Sequence, residues 1–281
     1  MNTHVRAPDA DSRDQPTPTG DTHPTGDAPP THPERSKGRA VPLLGTRVRL
    51  RDTALLGAVT LGSGALLLGL GLLATTLTAA DWSPTARVAL AVGPLVLLTP
   101  LVACAAGHAL LMRRGPRLTP KDVGLAKPNR VPVGLVLWIP LAILSAALST
   151  GITLGAASLL GVEDTGDSAP SASSGLVADL PLPAGLTIVL GTAVLFPLLE
   201  EIVFRGMLHG ALSRRVAPWA AVALSALVFS LVHVAPLLMP YTLVLGLWLG
   251  WLHRRYESIV PSIVLHCCNN ALVSVIALSA L

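Results

Sequence analysis

The sequence predicts an all-α fold, a polytopic transmembrane helix bundle of about seven spans, on three observations. Of 281 residues, 51% are hydrophobic and only 13% charged, which exceeds the apolar share of an ordinary soluble domain. Mean hydropathy is +0.62. Apolar runs recur at lengths that suit a hydrocarbon core about 30 Å thick, which takes roughly 20 helical residues to cross. The runs are continuous instead of alternating, and backbone groups in lipid must be bonded within their own segment, so helices are favoured over a barrel.

Residues 1–45 hold Pro, Thr, Asp, Gly and His with few large apolar side chains. Such a segment buries too little surface to offset the entropy of ordering, so a disordered cytoplasmic tail is expected. Its repeated Pro-Thr-Gly-Asp, at Pro18 to Asp21 and Pro24 to Asp27, reads as low complexity. No basic stretch precedes an apolar one near Met1, so no cleavable signal is expected. Residues 46–184 contain three accessory spans, near Ala54 to Leu77, Val88 to Leu111 and Val131 to Leu154. Residues 185–281 contain four more, near Leu186 to Gly206, Ala220 to Pro236, Leu237 to Leu252 and Ile259 to Leu278, of which the second and third are short.

The basic residues fall between spans in a pattern that sets orientation. Arg47, Arg49 and Arg51 precede the first span, Arg113 to Arg130 separate the second from the third, and Arg214, Arg215, Arg254 and Arg255 mark later turns. All lie on one side if the amino terminus is cytoplasmic, which leaves the carboxyl terminus external in the cell membrane. The loop from Gly161 to Pro183 carries Glu163, Asp164, Asp167 and Asp179 without Lys or Arg, as an external loop would. The net charge of +4 is therefore a topology signal, and no nucleic-acid partner is expected. Cys104, Cys267 and Cys268 all sit in apolar segments and form no disulfide framework. The excess of arginine over lysine, with abundant Ala, Gly and Pro, suggests a bacterial genome rich in GC.

Charged groups inside such helices need an interior reason. A carboxylate or guanidinium at mid-bilayer costs about 2.5 to 3.5 kcal/mol, whereas each Leu or Val recovers about 0.3 to 0.6. Glu200, Glu201 and Arg205 share the fourth span. Glu201 and Arg205, four apart, face the same way and pair, while adjacent Glu200 points about 100° away toward another neighbour. On the next span Phe229 and His233 are four apart, and on the last His266 and Asn270 are four apart. A bundle interior that gathers Glu200, His233, His266 and Asn270 holds a base, donors for an oxyanion and candidate metal ligands. Taken singly, these groups have plainer readings. His108, Asn269 and Asn270 would hydrogen-bond neighbouring helices, Gly246 and Gly250 would form a packing face, and His209 and His253 would sit at the interface beside arginines.

"EEIVFR", "FSLVH" and "HCCNN" fit EExxxR, FxxxH and HxxxN, in that order and on separate spans. In this the chain resembles the CPBP (Abi, type II CAAX prenyl endopeptidase) family of intramembrane proteases over roughly Leu186 to Leu281. The resemblance implies an endopeptidase in which Glu200 and His233 activate a water, His266 and Asn270 stabilise the oxyanion, and Glu201, Arg205 and Phe229 support them. It also implies a lipid environment and a peptide or membrane-protein substrate. Because relatives are labelled metalloproteases, it implies a divalent metal such as zinc on Glu200, His233 and His266, although no HExxH is present. Relatives named for bacteriocin immunity suggest an alternative, a non-proteolytic membrane scaffold. A proton-coupled transporter would use the same residues as a relay, but no repeated halves are evident.

Depth poses a further requirement. At about 1.5 Å per residue, Glu200 and His233 meet near the midplane only if the spans that carry them both overhang the bilayer on one side.

Overall fold

The computed structural model describes residues 48–78, 82–112, 119–159, 182–233 and 236–279. The tail over residues 1–45 and the acidic residues of the loop after the third span lie outside them. The described residues form seven helices and no strand: α1 Leu50–Thr78, α2 Pro84–Met112, α3 Leu135–Leu159, α4 over residues 182–212, α5 Pro218–Leu231, α6 Met239–Tyr256 and α7 Val260–Ser279. Stretches within the first four, Leu50–Thr78, Ala89–Ala109, Leu135–Leu159 and Gly185–Leu212, are long and apolar enough to cross a membrane. Leu61, Leu66 and Leu77 on α1 and Leu137, Leu144 and Leu148 on α3 are more than half exposed. A water-soluble protein does not present so much continuous apolar surface. The chain is a multi-pass membrane protein, and these leucines face its lipid.

α1 and α2 pack as a hairpin, close enough that a Cβ on Gly71 would come within 2.7 Å of the Ala91 Cα. α4 lies at the centre, against α1, α2, α5, α6 and α7. Leu199, Val203 and Met207 from α4 bury against Val48, Leu56 and Ala103, while a second core joins α3, α6 and α7 through Ala142, Ala146, Leu249, Leu252 and Leu265. Gly246 and Gly250 are packing positions: a Cβ on Gly246 would lie 3.1 Å from that of Ala226, and one on Gly250 would lie 2.9 Å from Val222. His108 has an exposed side chain on α2.

The central helix is not uniformly α. Residues Gly191–Leu195 and Glu201–His209 are π-helical, separated by the α turn Phe196–Glu200. Pro197 explains the first: its ring removes a donor and crowds the carbonyl four residues back, and the Phe196 N–H reaches instead to the Gly191 carbonyl, five back. The second spans the charged sequence itself and turns Glu201, Arg205 and His209 all into the protein. π segments of this kind concentrate at functional sites.

One end of the bundle gathers the basic segments. Arg214 after α4 donates to the Val48 carbonyl before α1. The segment after α2 forms a 3₁₀ turn, Pro120–Val123, ended by Gly124 at φ +80°, a conformation that suits glycine. This segment docks on the α6–α7 turn: the Gly124 carbonyl accepts from the Ile259 N–H at 2.9 Å, and Ser258 Oγ donates to the Ala126 carbonyl at 2.6 Å.

α4, which carries Glu200, and α5, which leads to His233, differ in length. The apolar stretch of α4 runs 28 residues, but α5 has 14, about 21 Å of helix, which is shorter than a hydrocarbon core. The two registers meet because α5 stops early: Phe204 and Phe229 are in edge contact at 5.2 Å, and His233 follows one turn beyond, where α5 has ended.

Candidate active site

The second π segment fixes the adjacent glutamates in different surroundings. Glu201 has no solvent exposure and lies 2.9 Å from Arg205 Nη1, also wholly buried. The contact is an ion pair by proximity; the hydrogen bond from Arg205 runs from Nη2 to the Gly246 carbonyl at 3.3 Å, while Nε and Nη1 have no hydrogen-bond partner. The guanidinium carbon sits 4.4 Å from the centre of the Phe229 ring, a cation–π contact in a desolvated setting. Glu200, one residue earlier, is 23% exposed and turned toward α7.

His266 bridges the two glutamates. Its Nδ1 is 3.0 Å from Glu201 Oε1 and its Nε2 is 3.5 Å from Glu200 Oε2. A carboxylate ionised by Arg205 can only accept, so His266 Nδ1 carries the proton of that bond. The 3.5 Å separation on the other side is longer than a formed hydrogen bond. Asn270, one turn along α7, donates from Nδ2 to the Thr192 carbonyl at 3.0 Å and accepts from Asn269 Nδ2 at 3.1 Å. The amide thus anchors α7 to the first π segment of α4 and retains a second N–H.

Phe229 is the common wall. Its ring meets His233 at 4.7 Å and His266 at 5.7 Å, both edgewise, besides Phe204 and Arg205. His233 is exposed, and its Nδ1 lies 2.7 Å from the Phe229 carbonyl. That carbonyl accepts, so Nδ1 holds the proton and Nε2 presents its lone pair outward. The structure therefore brings Glu200, Glu201, Arg205, Phe229 and His266 into one contiguous cluster, with Asn270 at one edge and His233 at another. No hydrogen bond or ion pair joins Glu200 to His233 among the described residues.

A zinc ion on Glu200, His233 and His266 would need those three donors turned to one point. Among the described residues no group of three or more His, Cys, Asp or Glu side chains is placed to hold a metal ion. His266 and His233 each give Nδ1 to a protein acceptor, which leaves their Nε2 atoms as the available ligands, but these are not gathered with a carboxylate into a three-donor group. Among the described residues, the donors as arranged do not fit a metal.

Two further histidines turn inward. His209 and His253, expected at the interface, are buried at 2% and 6% exposure and pack edge to face at 5.0 Å. The π segment turns His209 inward and the Gly124 segment covers His253, whose Cε1 would lie 3.4 Å from a Cβ there. Their Nδ1 atoms have no hydrogen-bond partner. Sequence reasoning also passed over Tyr241, whose hydroxyl donates to Asn269 Oδ1 next to Asn270. A tyrosine opening an apolar helix two residues from its start gave no signal of its own.

Comparison with known proteins agrees with the motifs. Residues 182–272 match the family model for Rce1-like type II CAAX prenyl endopeptidases. No curated protein and no solved structure matches the chain.

Proposed function

Because residues 182–272 match the family model for Rce1-like type II CAAX prenyl endopeptidases, we propose that this protein is an intramembrane endopeptidase whose reacting water is activated by Glu200 and His233. The observation that carries the reading is the contrast between neighbours: Glu201 is sealed in an ion pair with Arg205, while Glu200 is partly open and faces His266.

The roles follow from the geometry. Glu200, the accessible carboxylate, takes a proton from water as that water attacks the scissile carbonyl, and later returns it to the leaving amine. His233 offers the Nε2 lone pair to the same water because its Nδ1 is tied to the Phe229 carbonyl. As the tetrahedral intermediate forms, negative charge on its oxygen is met by His266 Nε2–H and the second N–H of Asn270. That role requires His266 to carry a proton on Nε2 as well as on Nδ1. Glu201 and Arg205 position His266 without touching the substrate. A CAAX-type prenylated peptide and a membrane-embedded peptide are the substrate classes this reading admits.

The basic ends of the helices, gathered on one side, support a cytoplasmic amino terminus and an external carboxyl terminus in the cell membrane. The test of function is hydrolysis of farnesylated CAAX peptides and of transmembrane peptides by the purified protein in lipid. Glu200→Gln and His266→Ala should each remove cleavage; full activity in either would overturn the assignment. A scaffold would keep its partner binding in both variants and cleave nothing in any form.

A further inference from the structure

Away from the glutamate cluster, the basic end of the bundle holds a cleft of about 510 Å³ between α3, α5 and α6. Trp138, Trp219, Val222, Val244, Trp248 and Trp251 line it. Three of the indoles brace one another, with Trp138 5.2 Å from Trp251 and Trp248 5.3 Å from Trp251, both edge to face. Indoles at a membrane protein's rim mark headgroup depth. Here they line an open cleft instead of standing singly.

Two guanidinium groups border the same indoles. Arg254 lies 5.0 Å from the Trp219 ring, and Arg255 lies 5.5 Å from the Trp251 ring and 6.0 Å from that of Trp138. Among the described residues, neither is paired with a carboxylate. Arginine in this setting is weakly hydrated and presents a fork of donors matched to phosphate oxygens. Nothing in the Glu200 site uses either residue.

We propose that this cleft binds an anionic phospholipid, with an acyl chain along the indole walls and the phosphodiester between Arg254 and Arg255. The occupant follows from complementarity: the walls are apolar, and the rim carries two cations with no counter-charge of their own. A zwitterionic lipid supplies the same chain and phosphate but sets its own cation against the guanidinium pair, so a preference for net negative lipid is expected. The proposal does not rest on the proposed hydrolysis.

The test uses the full chain in detergent, titrated with phosphatidylglycerol or phosphatidylcholine of identical acyl chains, with inorganic phosphate as a third arm. Binding is read by native mass spectrometry and by quenching of indole fluorescence with brominated acyl chains. Phosphatidylglycerol should bind about tenfold tighter or more than phosphatidylcholine, as two basic residues near a lipid surface supply. Arg254→Gln with Arg255→Gln should erase that preference while leaving phosphatidylcholine binding unchanged. Ala223→Trp, which fills the cleft from α5, should reduce quenching by both lipids. Equal affinity for the two lipids in the unmodified protein would overturn the proposal. So would a preference that survives the double substitution, or displacement of phosphatidylglycerol by millimolar phosphate.

Discussion

Glu201 holds His266 Nδ1 at 3.0 Å in a setting where both side chains are sealed from solvent. The glutamate is committed on two sides, to this imidazole and to Arg205, whereas Glu200 is partly open to solvent and lies 3.5 Å from His266 Nε2. Two residues alike in chemistry and adjacent in sequence are thus separable by experiment.

The same change at each should give opposite signatures. Glu201→Gln strands a buried guanidinium and should destabilise the fold by about 3 to 5 kcal/mol, seen as a lowered midpoint of thermal unfolding in detergent. Glu200→Gln should leave that midpoint nearly unchanged and lower peptide hydrolysis by about 10²- to 10⁴-fold, the contribution of a positioned acid–base group. Equal loss of stability at both positions would contradict the division of roles.

Arg205→Lys tests the guanidinium. The replacement keeps the charge but gives up the flat contact with Phe229 and the reach to the Gly246 carbonyl. An unfolding midpoint clearly below that of the unmodified protein is expected, along with weaker hydrolysis through misplaced His266. A lysine variant indistinguishable in both measurements would show that only the charge matters.

Phe229 can be trimmed in two steps. Phe229→Ala opens a cavity among four ring partners and should cost about 3 to 5 kcal/mol. Phe229→Leu keeps most of the volume and should fold, yet it releases both His233 and His266 from a common wall. Misplacement by about 1 Å can cost roughly 100-fold in rate, so kcat should fall far more than stability does. Normal kcat in the leucine variant would sever the link between this ring and the histidines.

Gly206→Ala probes the docked segment after α2. A Cβ there collides with the Val123 carbonyl oxygen and sits 3.0 Å from its carbon, backbone that cannot swing aside. Overpacking of this kind costs about 1 to 3 kcal/mol. Gly57→Ala is the control: nothing lies within 4 Å of its Cβ, and alanine is the better helix former by about 1 kcal/mol. The two substitutions should therefore shift the unfolding midpoint in opposite directions.

Much of the architecture was legible because lipid imposes a length and a composition on each span, and the seven helices follow the apolar runs closely. Glu201 with Arg205 was legible as well, since residues four apart meet in either helix type. The π segments were not: they arise from Pro197 and from packing around a central helix, and no local propensity announces them. The inward burial of His209 and His253 was not legible for a related reason. Neighbouring arginines marked them as interfacial, but the wider turn and the Gly124 segment enclose them. For Asn270 a helix-gluing role was legible, but its particular anchor was not, because the Thr192 carbonyl belongs to a helix remote in sequence.

The unequal heights of α4 and α5 carry a consequence for the surrounding membrane. A column with a 28-residue apolar stretch stands beside one of 14 residues, so the lipids next to the shorter must sag or splay to keep their tails covered. Thinning of this kind would fall where His233 emerges. Solvent and extended polypeptide can descend there to a depth that flat bilayer would deny them, and turnover should quicken as host membranes are made thinner.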